Sequence, residues 1–162
     1  MDQIASLEQE FDAPELERRV SYRVSRLHAR LNTQAARILK DSANISLSQW
    51  RIMVMIDEDG EISASEIVRR TKIDKAMVSR GIKSLAAEGL VDVVVSQKDQ
   101  RLHNVRFTKA GRARFEKAFP HMIERQRGIV SSLTTAEKDI LFELFEKIEN
   151  SVREMESASE GE

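Results

Sequence analysis

Residues 61 to 111 read EISASEIVRRTKIDKAMVSRGIKSLAAEGLVDVVVSQKDQRLHNVRFTKAG. Their caps, apolar spacings and turns define a capped helix, a connector, a second capped helix and a β-hairpin. Ser63-Ala64-Ser65-Glu66 has capping-box spacing: the Ser63 hydroxyl accepts from the third helical N–H, and Glu66 reaches back to the Ser63 backbone. A short helix is predicted from Ser63 to about Arg70. Thr71-Lys72-Ile73 then leads to Asp74, whose carboxylate caps a second helix running to about Glu88, with Gly89 as its stop. On this second helix Val78, Ile82 and Leu85 share one side at about 100° per residue. Lys75, Ala76, Ser79, Arg80 and Lys83 make up its small, polar and basic outer face.

Such a face suits a helix lying in the roughly 12 Å major groove of DNA, where Arg reaches guanine edges and Ser bonds phosphates or bases. Taken alone it fits an ordinary solvated helix equally well. The next segment favours the DNA reading. Val91 to Ser96 is β-branched, and Leu102 to Phe107 places Val105 and Phe107 two apart, as strands require. The joining loop, Gln97-Lys98-Asp99-Gln100-Arg101, is charged and lacks Gly and Pro, so it projects rather than turning tightly. A projecting loop brings Lys98 and Arg101 to DNA, Arg101 into the negative minor groove, with Asp99 holding the guanidinium as a bidentate orienter. The bland alternative is a surface ion pair of little energetic weight. The predicted fold is mainly α with a small β-wing: a winged helix-turn-helix flanked by long N- and C-terminal dimerisation helices.

Asp99-Gln100-Arg101, followed by Leu102 to Gly111 with Thr108-Lys109-Ala110-Gly111 at its end, resembles the D-x-R, strand, T-x-x-G signature of the multiple-antibiotic-resistance regulator (MarR) family. Asp74 to Arg80 and the exit Glu88-Gly89-Leu90-Val91 resemble that family's recognition helix and its end. Leu47-Ser48-Gln49-Trp50 is similar to the motif opening the helix before it. The resemblance spans about Leu16 to Met155. It implies a dimeric transcriptional regulator, often a repressor, released from DNA by a small ligand. It also gives Ser79 and Arg80 to the major groove, and Arg101, oriented by Asp99, to the minor groove.

With 162 residues the chain accommodates one domain with a real core. Within it, residues 12–45 are expected to form an N-terminal dimerisation helix, 46–111 the DNA-binding region and 112–156 the C-terminal dimerisation helices. No stretch approaches 18 apolar residues and Met1-Asp2-Gln3 does not open a secretory signal, so a cytoplasmic protein without a membrane role is expected. The absence of Cys excludes disulfides, thiolate metal sites and cysteine-based peroxide sensing. Net charge is −1, yet residues 61–111 carry ten Lys or Arg against six Asp or Glu, while residues 134–162 carry three against nine. Positive charge therefore concentrates on the reading unit, where phosphate neutralisation needs it.

Asp12-Ala13-Pro14-Glu15 is read as opening a long first helix, with Leu16, Val20, Val24, Leu27, Leu31, Ala35 and Ile38 as its apolar stripe. After a break at Asp41 to Ser46, a second capping box, Ser46-Leu47-Ser48-Gln49, leads a helix to about Glu58, stopped by Gly60. Thr108 caps a helix to about Leu133 in which Pro120 should introduce a kink. Thr134 to Glu137 caps a last helix with Ile140, Leu141, Leu144, Phe145 and Ile148 on one side. These long amphipathic helices either pack within one chain or bury their stripes in a two-fold partner. A homodimer is the favoured reading, because readers of this type contact two half-sites of a pseudo-palindromic operator about 34–36 Å apart.

Arg19, Arg23, Arg26 and Arg30 form a basic stripe on the first helix. Its ordinary reading is a solvated face. The sharper one is an anion site in which Arg23, Arg26 or Arg30 holds the carboxylate of an aromatic acid effector, near Tyr22, His28 and Trp50. Trp50 reads first as core, since a single Trp three residues into a capped amphipathic helix normally packs inward. His28, His103 and His121 lack metal-ligand spacing, so no metal or cofactor is assigned. No nucleophile elbow, phosphate loop or His-flanked carboxylate pair is visible, so an enzyme is not expected. The alternatives to a ligand-responsive regulator are a winged-helix protein-interaction adaptor and a nonspecific nucleoid-type DNA binder.

Overall fold

The computed structural model describes residues 16–95 and 103–159. The proposed cap at Asp12, Pro14, and the wing-tip residues Lys98, Asp99 and Arg101 lie outside the described residues. A 3₁₀ turn, Leu16–Arg18, precedes α1 (Val20–Ala43) and α2 (Leu47–Asp59). Strand β1 (Glu61–Ser63) leads into α3 (Ala64–Thr71) and α4 (Lys75–Ala87). Strands β2 (Val91–Val95) and β3 (His103–Phe107) follow, then α5 (Lys109–Ile129) and α6 (Thr135–Ser159). The chain divides into two compact units, residues 1–120 and 121–162.

Local caps set most of the boundaries in the first unit. At α2, Gln49 N–H donates to Ser46 Oγ at 3.2 Å and Ser46 N–H donates to Gln49 Oε1 at 2.7 Å, completing the box. Gly60 ends the helix at φ 77°, a conformation that costs glycine little. At α3 only half of the expected box forms. Ser63 Oγ accepts from Glu66 N–H at 3.2 Å, but the Glu66 carboxylate turns to Arg69 at 2.5 and 2.8 Å instead of reaching back. A charge-assisted bidentate pair outcompetes a neutral backbone donor.

Two other expectations change. The first helix is not continuous from residue 14: Arg19 is extended at φ −70°, ψ 125°, with no side-chain cap, and separates the 3₁₀ turn from α1. Val20 and Val24 are about half exposed, so little packing rewards another helical turn there. The sheet has three strands rather than two, in the antiparallel order β1-β3-β2. Ile62 pairs with Val105, and Val91 with Phe107. Helix α5 stops at Ile129 rather than near Leu133. Ser131 N–H and its hydroxyl bond the Gly128 carbonyl, and Leu133 N–H bonds that of Val130, closing turns in place of the helical ladder.

Leu39, Ile52, Met53, Ile56, Ile67, Val78, Leu85, Leu90 and Val105 are the fully buried core. Trp50 stacks on Phe115 with centroids 5.0 Å apart and planes at 13°, and Phe115 in turn meets Phe107 and Phe119. This aromatic row joins α2, β3 and the first half of α5. Arg112 lies over the Phe107 ring at 4.6 Å and pairs with Asp57, while Arg114 donates to the Ala43 carbonyl at the end of α1.

In the second unit, α6 starts with the expected box. Glu137 N–H donates to Thr134 Oγ1 and Thr134 N–H to Glu137 Oε2, which holds the Glu137 carboxyl below the usual carboxylate range. None of the α6 side chains is buried. Ile140, Leu144, Phe145, Ile148 and Val152 leave an apolar stripe exposed.

Two glycines mark close approaches. A Cβ on Gly111 would stand 1.8 Å from the Leu90 carbonyl oxygen, a backbone atom that cannot yield. Thr108 holds the same corner: its hydroxyl donates to the Gly89 carbonyl at 2.7 Å and accepts from Gly111 N–H at 3.0 Å. The T-x-x-G spacing is therefore the joint between the exit of α4 and α5. A Cβ on Gly81 would meet only Ile52 Cδ1, at 2.5 Å. Gly111→Ala is expected to cost more than about 3 kcal/mol or to prevent folding. Gly81→Ala should cost about 1 kcal/mol net and be largely rescued by Ile52→Val, which removes the clashing methyl. Urea denaturation of the single and double variants measures both.

Candidate nucleic-acid interface

Helix α4 has two unlike sides. Val78, Gly81, Ile82 and Leu85 are buried against the core. Lys75, Ala76, Met77, Ser79, Arg80 and Lys83 are all exposed. Asp74 Oδ1 accepts from Met77 N–H at 3.0 Å and starts the helix where the cap was expected. At the other end Gly89 adopts φ 68° and Leu90 N–H returns to the Leu85 carbonyl at 2.8 Å, burying Leu90. The outer face is thus held from both ends and from behind.

The cations divide into two groups. Arg69 is engaged by Glu66, whose carboxyl it holds below the usual range. Arg70 bridges Asp59 at 2.7 Å and Glu58 at 2.5 Å, and these carboxylates, Asp59 first, raise its pKa. That bridge ties the end of α3 to the acidic end of α2, where three carboxylates would otherwise oppose the helix dipole. Arg106 faces Asp92 across the β2–β3 ladder at 3.9 Å. Among the described residues, Lys75, Arg80 and Lys83 form no ion pair. The three cations on the outer face of α4 are therefore available to an external anion.

The sequence reading missed Met77. Flanked by Ala76 and Val78 it looks like core, yet it is 41% exposed beside Arg80. Its position three residues before Arg80, about 60° from it on a helical wheel, was the available signal. An exposed thioether on this face offers an apolar contact for a thymine methyl.

The residues considered for an effector are not gathered in one place. Arg23, Arg26 and Arg30 line an open groove of about 330 Å³ with Val24, Leu27 and Glu17, and Glu17 accepts from Arg26 at 3.0 Å. Tyr22 is half-buried. Trp50 is in the aromatic core and is not among the residues that line the groove. His28 is exposed and bonds Asn32 at 2.7 Å, and Asn32 Oδ1 accepts from Arg51 at 3.0 Å, so this chain of contacts connects α1 with α2.

Comparison with known proteins agrees with this geometry. Residues 43–102 match the sequence pattern of the MarR family. The HTH-type transcriptional regulator TcaR of Staphylococcus aureus is 30% identical over 128 residues, covering 76% of this chain and 84% of TcaR. A MarR/EmrR family transcriptional regulator from Acinetobacter sp. ADP1 superposes with a TM-score of 0.79 at 26% identity, over 86% of this chain and 99% of that one. BpsR of Bordetella bronchiseptica, whose DNA binding is regulated by 6-hydroxynicotinic acid, superposes with a TM-score of 0.63 at 25% identity, over 78% and 98%. The chain belongs to the MarR family of winged-helix, DNA-binding transcriptional regulators. No described helix is long and apolar enough to cross a membrane.

Because Asp74 supplies the first cap of α4, the candidate DNA-contacting helix, Asp74→Ala should lower stability by about 1 kcal/mol and weaken DNA binding beyond that loss. Parallel urea denaturation and fluorescence-anisotropy titrations with labelled duplex measure the two effects.

Proposed function

We propose that this protein is a dimeric, sequence-specific repressor. It reads a pseudo-palindromic operator with α4 in the major groove and the β2–β3 wing in the minor groove, and a small aromatic carboxylate releases it. The observation that carries the reading is the outer face of α4: Lys75, Ala76, Ser79, Arg80 and Lys83 all point outward from a helix buried on its other side. Arg80 is the candidate for a guanine edge, Lys75 and Lys83 for phosphates, and Ser79 for either. On the wing, Lys98 and Arg101 reach the DNA, with Asp99 orienting Arg101.

A homodimer is supported by what remains uncovered. Val20, Val24 and Leu27 on α1, and Ile140, Leu144, Phe145 and Ile148 on α6, are between 39% and 55% exposed. Large apolar stripes of this kind mark association surfaces. For the effector, the groove lined by Arg23, Arg26 and Arg30 is also lined by Val24 and Leu27, a combination of cations and apolar side chains that suits an aromatic ring carrying one carboxylate. Regulation of BpsR by a hydroxylated nicotinic acid supports that chemical class.

Enrichment of duplexes from a random-sequence library at about 0.15 M salt tests sequence reading, because that salt suppresses weak phosphate binding. A recovered motif supports the reading, and the absence of any enriched sequence favours a nonspecific binder. On the recovered duplex, Arg80→Ala should cost about 1–3 kcal/mol and relax preference at one position, while Lys83→Ala should weaken all sequences alike and lower the salt slope by about 1. Arg101→Ala should produce a milder loss, and unchanged affinity would rule out the wing contact. Leu144→Glu should convert the dimer to monomer in sedimentation equilibrium. Titration with salicylate as a probe should release DNA from the wild type but not from Arg23→Ala/Arg30→Ala.

A further inference from the structure

We propose that Gln49 is a positioning residue for DNA reading: its buried amide sets the roll of α4 on α2 and thereby aims Arg80. The inference rests on the reading of α4 as the recognition helix. Two of the contacts between α4 and α2 bear on how α4 is oriented. One is the approach of Gly81 to Ile52, a smooth apolar contact that limits distance but resists rotation only weakly. The other is Gln49, the only polar side chain buried among the described residues, at 5% exposure.

The Gln49 amide is used at both ends. Its Oε1 accepts from Ser46 N–H at 2.7 Å, and its Nε2 donates to Ser84 Oγ at 3.1 Å and to Glu88 Oε1 at 2.7 Å. Ser84 Oγ in turn donates a hydrogen bond to Glu88 Oε1 at 3.2 Å. The partners dictate which end is which, because an N–H faces one side and a carboxylate the other. A carboxylate at position 49 would satisfy Ser46 but repel Glu88, and an apolar side chain would satisfy neither. A carboxylate at the C-terminal end of α4 opposes the helix dipole, so its placement at Glu88 is explained by this partner rather than by helix stability.

Arg80, Ser84 and Glu88 are successive i, i+4 neighbours and form one ridge on α4. Gln49 grips the last two members, and Arg80 is the first. Met77, Arg80 and Gln49 also line the same groove. With side chains about 5–6 Å from a helix axis, a roll of about 20° moves a side-chain position by about 2 Å. That displacement breaks a bidentate base contact while leaving long, flexible phosphate contacts within reach. Discrimination between sequences should therefore fail before general affinity does.

The test uses the full chain and the duplex recovered by enrichment, with operator and scrambled duplex affinities measured beside thermal melting. Gln49→Met keeps side-chain length and packing but makes no hydrogen bonds. It should melt within about 4 °C of wild type, yet lose about tenfold or more of the operator-to-scrambled affinity ratio. Gln49→Glu should lose the ratio similarly. Gln49→Glu/Glu88→Gln, which restores a donor opposite an acceptor, should recover it to within about threefold. An unchanged ratio in both single variants overturns the proposal, as does a double variant that melts like wild type but discriminates no better than Gln49→Glu. Wild-type protein that enriches no sequence overturns the DNA reading itself, and the positioning role with it.

Discussion

A helix of thirteen residues is marginal in water by itself, and α4 must nevertheless be rigid if, as proposed, it presents side chains to base edges. Its rigidity comes from burial of one side, where Val78, Ile82 and Leu85 enter the core and Gly81 lets α2 approach to within van der Waals contact of its backbone. Other contacts in the first unit support that seating. α3 is lashed to α2 by Arg70, and the three-stranded sheet packs Val91 and Val105 beneath the exit of α4. The Thr108–Gly111 corner then joins that exit to α5. Each device is short-range, and together they leave one face of α4 uncovered.

The electrostatics follow the same division. A net charge of −1 coexists with DNA binding because the chain separates structural from available cations. Arg69, Arg70 and Arg112 are paired with carboxylates, two of them across helices. Lys75, Arg80 and Lys83 sit on the exposed face of α4, where no described carboxylate neutralises them. The same bias explains why whole-chain pI is uninformative here.

The features legible in the sequence were those written in a few adjacent residues. Ser46 with Gln49, Asp74, Thr108 and Thr134 each announced a helix start that forms as expected, and the spacing of Val78, Ile82 and Leu85 gave the buried side of α4. What stayed hidden depends on partners distant in the chain. Glu61–Ser63 becomes a strand only because β3 lies beside it, more than 40 residues on. Glu66 abandons its cap because Arg69 offers a stronger bond, a competition that spacing alone does not rank. Gln49 reads as a capping residue and nothing more until Ser84 and Glu88 are brought to its amide. Met77 was hidden differently: its apolar side chain suggests core, but it sits on the exposed outer face beside Arg80.

Combined dimethyl-sulfate protection and hydroxyl-radical footprinting of the protein on its enriched duplex tests the account most directly, since methylation at guanine N7 reports the major groove, radical attack on deoxyribose reports the backbone and minor groove, and the pattern counts the reading heads. The account predicts two protected major-groove segments related by a two-fold axis and centred about one helical turn, 10–10.5 base pairs, apart, each flanked by minor-groove protection from a wing. A single protected segment, or uniform protection without groove periodicity, would contradict it.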